Sequence, residues 1–496
     1  MGRLGGRTCG RRGGGVLAVL LAVVAAPSGA GEAVDGLGVF FGDLHAHTSY
    51  SDGELTPKDA YGYARLVGKL DFLGLSDHAY RLNERPEHLA DLFEQARRAT
   101  RPGVFVALPG GEWTHPSQGH VNVFAWEALP DRKRIPEYPD LYAWLSEHPV
   151  LFAQFNHPGL DIQQNWDLFR YDPRADPSLA LLEVGNGPFP GNLRYEASYQ
   201  MALDRGWHVG AATNSDVHRA QWGTATPSRT AVWAAALDEE SLVQAIRARR
   251  TYATEDPDAR LVFRAGTAWM GARLPAPGVV RFEVELWDPD PQDRFDEVEL
   301  VGPQGDVVHR VELMGALRPR VELDVTLPWG RGYYYVRARQ TDGDRLVSSP
   351  IWLEHPSQVW LADFQLRRLP AVRGEAAAVL ATVVNGRSHA TCVWVRWASA
   401  GAAGGAVAMV LRPLSATSVE LPWVPAVAGR QQLVVELEPG KPSGATDGLC
   451  SAGGGIPQAP PGFGRPNRYG LAVWVRPSPQ ADGLRDVGEI RTGLRR

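Results

Sequence analysis

The chain has 496 residues, of which 44% are hydrophobic and 22% charged, and this composition indicates a globular protein of roughly two to four domains. It disfavours an intrinsically disordered chain and an integral membrane bundle. The formal net charge of −5 and the lack of a basic run with interleaved aromatic residues disfavour nucleic acid as a partner.

The first thirty residues have the features of a secretory signal peptide. Four arginines precede an apolar run from Val16 to Ala26, and the small residues 28–30 offer a cleavage site. The run is short for a membrane span, although an uncleaved signal that tethers the protein is an alternative. We therefore predict a signal peptide at residues 1–30 and a secreted or periplasmic protein without an integral span. After export, Cys392 and Cys450 could pair.

Short apolar runs alternate with amphipathic helical stretches over residues 38–257. Thr56 with Pro57, and Asp238 with Glu239, are typical of helix starts. Strand–helix alternation over this length predicts a parallel α/β barrel or sheet.

The pattern changes after residue 257 to alternating strands separated by Gly, Pro and Asp turns. It predicts a β-sandwich over 258–356, a second all-β domain over 357–440 and a Gly/Pro-rich tail over 441–496. Neither β segment shows ionisable residues at a suggestive spacing. We therefore interpret both as packing or attachment modules, with the cell envelope as a possible partner.

Ten of the thirteen histidines lie between His45 and His218. Six predicted strands end in His, Asp or Glu, namely His45 and His47, Asp77 and His78, Glu112, His157, Glu183, and Asp216 and His218. Because the carboxyl ends of strands in barrels and open α/β sheets meet at one crevice, these side chains are expected to converge.

A single His-x-His or Asp-x-His pair is more often structural than functional, but the coincidence on separate strands predicts a metal centre. Imidazoles and carboxylates suit zinc, manganese or iron, and the absence of nearby cysteine excludes a thiolate-type structural zinc site. So many ligands imply more than one ion. A carboxylate such as Glu112 could bridge two ions that activate a shared water.

Six stretches occur in an order that resembles the PHP (polymerase and histidinol phosphatase) superfamily, most closely its CehA/McbA-like metallohydrolases: "GDLHAHTSYSDG", "LSDHA", "GGEWT…GHVNVF", "FNHPG", "EVGNG" and "NSDVH". The resemblance covers residues 38–274. The region after Val359 more loosely resembles a CARDB-type immunoglobulin-like module.

This resemblance implies a distorted (β/α)7 TIM-like barrel that binds two or three divalent ions. A first ion would be held by His45, His47, Glu112 and Asp216; a second by Glu112, His120 and His157; and a third by Asp52, His78 and His218. Some members of the family have histidine one residue after the Asp52 position, where this chain has Gly53, so the third site would depend on Asp52.

Further roles follow for residues around these ligands. Asp77 is expected to orient a ligand or carry a proton, and His218 or Asp77 would act as general acid. Glu183, Asn186 and Arg219 are expected to line the substrate pocket, although a structural role for Glu183 and Asn186 in the following loop is an alternative.

The predicted function is that of an exported hydrolase that uses a metal-bridging hydroxide on a small-molecule ester, with phosphate esters first. One alternative is hydrolysis of a carboxyl or carbamate ester with one or two metals. Another is a non-catalytic scaffold at the cell surface.

Overall fold

The structure is a computed structural model that describes residues 33–159, 166–187, 193–275, 278–327 and 331–354, together with shorter segments between 359 and 476. The predicted signal peptide and most of the predicted tail lie outside these residues. Cys392 is disulfide-bonded. The side chain of Cys450 lies outside the described part, so pairing of these two cysteines stays a prediction.

The described part of the first region, residues 38–257, contains ten strands, six helices and a single-turn segment at Trp166–Phe169. The strands are β1 (Gly38–Asp43), β2 (Phe72–Leu75), β3 (Val106–His115), β4 (Gly119–Phe124), β5 (Phe152–Asn156), β6 (Leu179–Asn186), β7 (Leu193–Arg194), β8 (Gly210–Asn214), β9 (Arg229–Ala234) and β10 (Thr251–Thr254). The helices are α1 (Pro57–Leu66), α2 (Ala79–Glu84), α3 (Pro86–Ala99), α4 (Tyr138–Glu147), α5 (Glu196–Arg205) and α6 (Glu239–Arg247).

Both predicted helix starts are confirmed. The Thr56 side chain accepts a hydrogen bond from Asp59 N, and Asp59 bonds back to Thr56 in a capping box at the start of α1. The Asp238 side chain accepts from Ser241 N at the start of α6. These caps fix where the chain leaves the sheet and enters each helix.

The strands of this region form a curled sheet in the order β9-β1-β2-β3-β4-β5-β6-β8. The segment after β8 lies beside the segment after β1. Two backbone hydrogen bonds join them: Asp216 N donates to His45 O at 2.9 Å, and His47 N donates to Val217 O at 3.0 Å. A buried apolar cluster that includes Phe72, Val106 and Ile246 fills one end, where α6 contacts β3, β5, β6 and β9. The predicted fold class, an α/β barrel-like sheet followed by all-β sheets, is confirmed.

Two of these strands, β4 and β9, run against the predicted parallel pattern, and β9 is antiparallel to β1. β4 is antiparallel to both β3 and β5. Only three residues separate β3 from β4, whereas a parallel crossover needs a dozen or more. The resulting hairpin places Thr114 opposite His120 and therefore brings Glu112 and His120 to the same end of the sheet.

Part of the second region continues the same sheet, and four of its strands form a separate sheet. Its elements are β11 (Arg260–Ala265), β12 (Ala268–Trp269), β13 (Arg273–Pro275), β14 (Gly278–Trp287), β15 (Phe295–Val301), a single turn at Pro303–Gly305, β16 (Val307–Ala316), β17 (Arg320–Leu327), β18 (Arg331–Gln340), β19 (Arg345–Ser348) and β20 (Ile351–Glu354). β10 pairs with β9 on one side and with β19 on the other, so the backbone ladder crosses residue 257 without a break. Ala231, Trp233 and Tyr252 of β9 and β10 share a core with this second region.

The described part of the third region forms three further sheets, of five, three and two strands, and has a core of its own. Its strands are β21 (Val359–Leu366), β22 (Ala371–Val372), β23 (Ala377–Asn385), β24 (Thr391–Ser399), β25 (Ala402–Leu411), β26 (Ser415–Trp423), β27 (Gly429–Pro439), β28 (Lys441–Pro442), β29 (Cys450–Ser451) and β30 (Arg468–Arg476). Because β30 pairs with β27, the predicted tail contributes a strand to this region. Among the described residues, none of the helices has the length and apolar character that a membrane crossing requires.

Candidate metal centre

All nine predicted metal ligands lie in one cluster at the carboxyl-end side of the curled sheet. Their ligand atoms form four overlapping groups within which all distances are at most 4.8 Å: His45, His47 and Glu112; His45, His157 and Asp216; Glu112, His120 and His157; and His47, Asp52, His78 and His218. The described residues therefore include several buried His, Asp and Glu groups that are compatible with more than one metal ion.

Glu112 lies at the centre of this cluster and is 1% exposed. Its Oε1 is 3.3 Å from His45 Nε2, 3.1 Å from His120 Nδ1 and 3.5 Å from His157 Nε2. Its Oε2 is 2.9 Å from His78 Nδ1. One carboxylate thus touches four imidazoles, which is the arrangement expected of a ligand that bridges two cations.

The innermost imidazoles are arranged as ligands of a metal ion would be. His45 Nε2 and His47 Nε2 each lie 3.2 Å from Asp216 Oδ1. Both nitrogens are buried, and neither makes a hydrogen bond of acceptable geometry to the described part of the chain. Such an unpaired buried polar atom costs about 1–3 kcal/mol. Adjacent ligands of a tetrahedral ion with bonds of about 2.0–2.1 Å are about 3.3–3.4 Å apart, so these separations match the edges of a coordination polyhedron.

The outermost group surrounds Asp52, whose side chain is 52% exposed. Its Oδ2 lies 3.3 Å from His78 Nε2, and its Oδ1 lies 3.4 Å from His218 Nε2. The cluster therefore opens to solvent at Asp52 and His218.

Neighbouring groups fix which ring nitrogen faces the cluster. His45 Nδ1 lies 2.9 Å from Glu183 Oε1, and His218 Nδ1 lies 2.9 Å from the carbonyl oxygen of Asp216. A proton on each Nδ1 leaves Nε2 as a lone-pair donor toward the cluster. Ligating histidines in metalloproteins are oriented in the same way.

A layer of buried amides supports these groups, and the sequence reasoning missed it. Asn156 Nδ2 donates to Glu112 Oε1 at 2.8 Å, and Gln154 and Asn214 donate to Glu183 Oε1 at 3.1 and 2.9 Å. The sequence feature that could have predicted this layer is an isolated amide side chain inside an apolar run, as in "FAQFN" and "AATNS". Such residues are costly to bury unless they have partners.

The hydrogen bonds of Asp77 favour the orienting role among those predicted for it. Asp77 is fully buried, and its carboxylate accepts hydrogen bonds from Thr48 N, Thr48 Oγ1 and Ser51 Oγ at 2.8, 2.7 and 2.6 Å. It belongs to none of the metal-ligand groups. Asp77 therefore holds the loop that follows His47, and its role as a proton carrier stays a prediction.

Two of the three residues predicted to contact substrate are buried. Glu183 is 0% and Asn186 5% exposed, and Asn186 Nδ2 donates to Glu183 Oε2 at 2.7 Å. Glu183 lies behind His45 and orients it, which favours the structural alternative for both residues, and their contact with substrate stays a prediction. Arg219 is exposed and adjoins His218, and its role stays a prediction.

Two ligands have the left-handed backbone conformation that is uncommon outside glycine. The φ angles of His157 and Asp216 are 30° and 51°. Such conformations persist where the surroundings impose them and concentrate at functional sites. The hydrogen bonds of His157 N with Glu183 and of Asp216 N with His45 O hold these two turns.

The electrostatics of the cluster favour a bound cation. Burial by itself raises the pKa of Glu112, but His120, His157 and His45 hold that pKa well below its usual range. Burial lowers the pKa of His78, whereas Asp52 and Glu112 raise it to about 10. The carboxylates are therefore anionic at neutral pH, and protons compete with metal for the imidazoles.

The structure explains why the residue directly after Asp52 is glycine and not a metal-binding residue. A Cβ atom at Gly53 would lie 2.7 Å from the backbone carbonyl carbon of His47. The Gly53 N–H also donates to Thr48 O at 2.8 Å, which draws the two segments together. The loop therefore requires glycine at this position.

Comparisons with known proteins find similar chains among solved structures only. No protein-family model matches the chain, and no curated protein matches it either. Among solved structures, a two-domain protein from Bacteroides vulgatus that contains a predicted PHP-like metal-dependent phosphoesterase is similar, with 18% identity over 67% of this chain and 100% of that one and a TM-score of 0.37. Fibronectin(III)-like modules of Clostridium thermocellum CbhA are 12% identical over 46% of this chain and 100% of theirs, with a TM-score of 0.15.

The fold and the cluster together define the class of the protein. It has a curled α/β sheet that carries a multi-histidine, multi-carboxylate metal-ligand cluster at its carboxyl-end side, followed by further β sheets.

Proposed function

We propose that the protein is an exported metal-dependent hydrolase of the PHP type and that its substrates are phosphate esters. The observation that carries the proposal is the Glu112-centred cluster, in which the Nε2 atoms of His45 and His47 are buried without hydrogen bonds to described residues. Two or three divalent ions, zinc, manganese or iron, would supply hydroxide near neutral pH and positive charge for an anionic transition state.

The protein's own residues would orient the ligands and manage the proton. Glu183 and the carbonyl oxygen of Asp216 fix the tautomers of His45 and His218. His218, whose side chain is 38% exposed, is placed to give a proton to the leaving group. The same Nε2 cannot both bind a third ion and donate a proton, so occupancy of the Asp52 group decides which role His218 takes.

The solvent exposure of Asp52 favours a second candidate function. If the third ligand set, around Asp52, bound its ion weakly or not at all, one or two ions would remain. One or two ions suffice for hydrolysis of a carboxyl or carbamate ester. The non-catalytic scaffold is the remaining alternative, and it predicts a purified protein with far less than one ion per chain.

The deciding experiment is elemental analysis of the purified protein combined with assays on aryl phosphate and aryl carboxylate esters. We expect two or three ions per chain and phosphate hydrolysis, both reduced in Asp216→Ala and unchanged in the exposed control Asp140→Asn. Carboxylate ester cleavage with one or two ions would favour the second candidate. Neither metal nor turnover would contradict both enzyme proposals.

A cation beside the cluster offers a test of the substrate class. Arg132 Nη1 donates to Thr114 O at 3.4 Å, and its guanidinium lies 5.8 Å from the centre of the Tyr80 ring. It forms no ion pair with the carboxylates of the described chain, so it is free to meet an anionic substrate.

We therefore expect Arg132→Met to raise the KM for an aryl phosphate about tenfold and to leave the KM for a neutral aryl ester unchanged, since about 1.4 kcal/mol of anion binding would be lost. The exposed neighbour Arg134 provides a matched control, Arg134→Met. Equal changes for both esters would exclude a phosphate-specific role.

Export and attachment are proposed from the sequence alone. The mass of the protein purified from its native host should correspond to a chain whose N-terminus lies near Gly31. We further propose that the β regions attach the enzyme to the cell envelope.

A further inference from the structure

Asp43, at the end of β1, is a buried carboxylate for which the hydrolase proposal has no role. It is 2% exposed and belongs to none of the metal-ligand groups. Burying a charged carboxylate is costly unless hydrogen bonds satisfy it. The donors that satisfy Asp43 therefore indicate what this residue does.

The donors to Asp43 belong to two segments that carry metal ligands. Asp43 Oδ1 accepts a hydrogen bond from His45 N at 3.0 Å. Ser215 N lies 3.3 Å from Asp43 Oδ1 and 3.2 Å from Asp43 Oδ2. His45 and His47 lie in the segment after β1, whereas Ser215 directly precedes Asp216 in the segment after β8. One carboxylate thus joins two ligand-bearing segments that are 172 residues apart in the sequence.

The separation of these two segments decides whether the first ion can be held. His45 Nε2 and His47 Nε2 come from the segment after β1, and each lies 3.2 Å from Asp216 Oδ1 in the segment after β8. Metal–ligand distances agree with their usual values within about 0.2 Å. A small displacement of one segment against the other would therefore take a ligand out of reach of the ion.

Other hydrogen bonds also join the two segments. Leu44 N donates to Asn214 Oδ1 at 2.7 Å, and the two backbone bonds described above run beside it. Asp43 differs from these contacts because a single charged group binds the N–H of a ligand, His45, and the N–H next to a second ligand, Asp216.

Asp71 provides a comparison, since it is another carboxylate that bonds the backbone of β1. Its Oδ2 accepts from Phe41 N at 2.8 Å. Asp71 lies directly before β2, and Phe41 lies within β1 and outside both ligand-bearing segments. Replacement of Asp71 therefore weakens the support of β1 without touching a ligand-bearing segment.

We propose that Asp43 is a positioning residue of the metal centre, whose carboxylate holds the segment after β1 at the distance from the segment after β8 that the first ion requires. The inference rests on the metal centre of the proposed function and on no particular substrate. Asparagine at this position replaces one oxygen with an N–H₂ group, which cannot accept from His45 N or Ser215 N. It also removes the charge that strengthens these hydrogen bonds.

The test is titration of the metal-stripped, full-length protein with Co²⁺, followed by visible absorption, with thermal unfolding measured before Co²⁺ is added. The absorption bands of bound Co²⁺ depend on the geometry of its ligands, so they report a displacement of ligands that a purely structural role would not cause. We expect Asp43→Asn to weaken the binding of one Co²⁺ about 10–100-fold and to shift its bands. Asp71→Asn should lower the unfolding midpoint of the metal-free protein but leave Co²⁺ affinity and bands unchanged.

An Asp43→Asn protein that binds Co²⁺ with the affinity and bands of the wild type overturns the proposal. So does an Asp43→Asn protein that is unfolded without metal, because Asp43 would then serve the fold, and so does an equal loss of Co²⁺ affinity in Asp71→Asn. These three results leave the hydrolase proposal standing. A wild-type protein that binds no Co²⁺ would contradict the metal centre and this inference with it, whereas one that binds Co²⁺ but cleaves no ester would contradict the hydrolase proposal alone.

Discussion

Replacing Glu112 with glutamine should reduce hydrolysis by about 10³-fold or more and lower the metal content of the protein. Glutamine keeps the shape of the side chain but removes the charge that four imidazoles surround at 2.9–3.5 Å. It also places an N–H₂ group against nitrogens that need a lone pair free for metal. Elemental analysis and steady-state kinetics measure the two effects.

The control for this variant is Glu127→Gln, which removes a charge from an exposed residue of the same region. Thermal unfolding distinguishes loss of the site from loss of the fold. A Glu112→Gln protein with full metal content and full activity would refute the bridging role of Glu112 and, with it, the central feature of the proposed site.

Asp176→Asn should have the largest effect on stability, about 2–4 kcal/mol at neutral pH. Asp176 is 8% exposed and accepts hydrogen bonds from His208 N and His208 Nδ1 at 2.8 and 2.7 Å. Arg249, whose Nη2 donates to Asp176 O, adds positive charge nearby. Asparagine is neutral and cannot supply the negative charge that the carboxylate presents to these donors.

The pH dependence of this loss follows from the direction of the pKa shift. Burial raises the pKa of Asp176, but His208 and Arg249 lower it by more, so the folded pKa lies below the unfolded value of about 3.9. The stabilisation is therefore present above that unfolded value and is lost as the pH falls through the folded pKa. Unfolding midpoints of wild type and Asp176→Asn should differ most at pH 7 and converge below about pH 4. A difference that is independent of pH would mean that packing, not charge, causes the loss.

Much of the candidate site could be predicted because it follows from a local rule. His45, His78, Glu112 and Asp216 stand at the ends of apolar runs, and parallel strands bring such ends together. The rule does not depend on which helix covers which strand, so it survives errors in topology such as the antiparallel β4.

The residues that were missed depend on contacts between distant segments. Whether Asp77 meets substrate or the Thr48 N–H cannot be read from "LSDHA", since both alternatives use the same strand end. The pairing of Asp43 with Ser215 N likewise requires β1 and β8 to be placed first. A buried carboxylate therefore shows its role only once its hydrogen-bond donors are known.

The continuous ladder from β9 through β10 to β19 bears on how the chain can be divided. A barrel cut after residue 257 would lose the partner of β10, leaving an unpaired edge strand with exposed N–H and C=O groups. It would also uncover Ala231, Trp233 and Tyr252, which share a core with the second region. Such a fragment would present both a template for strand addition and an apolar surface, the two features that drive aggregation. We therefore expect a fragment that retains the histidine cluster to need at least the second region, through β20 at Glu354.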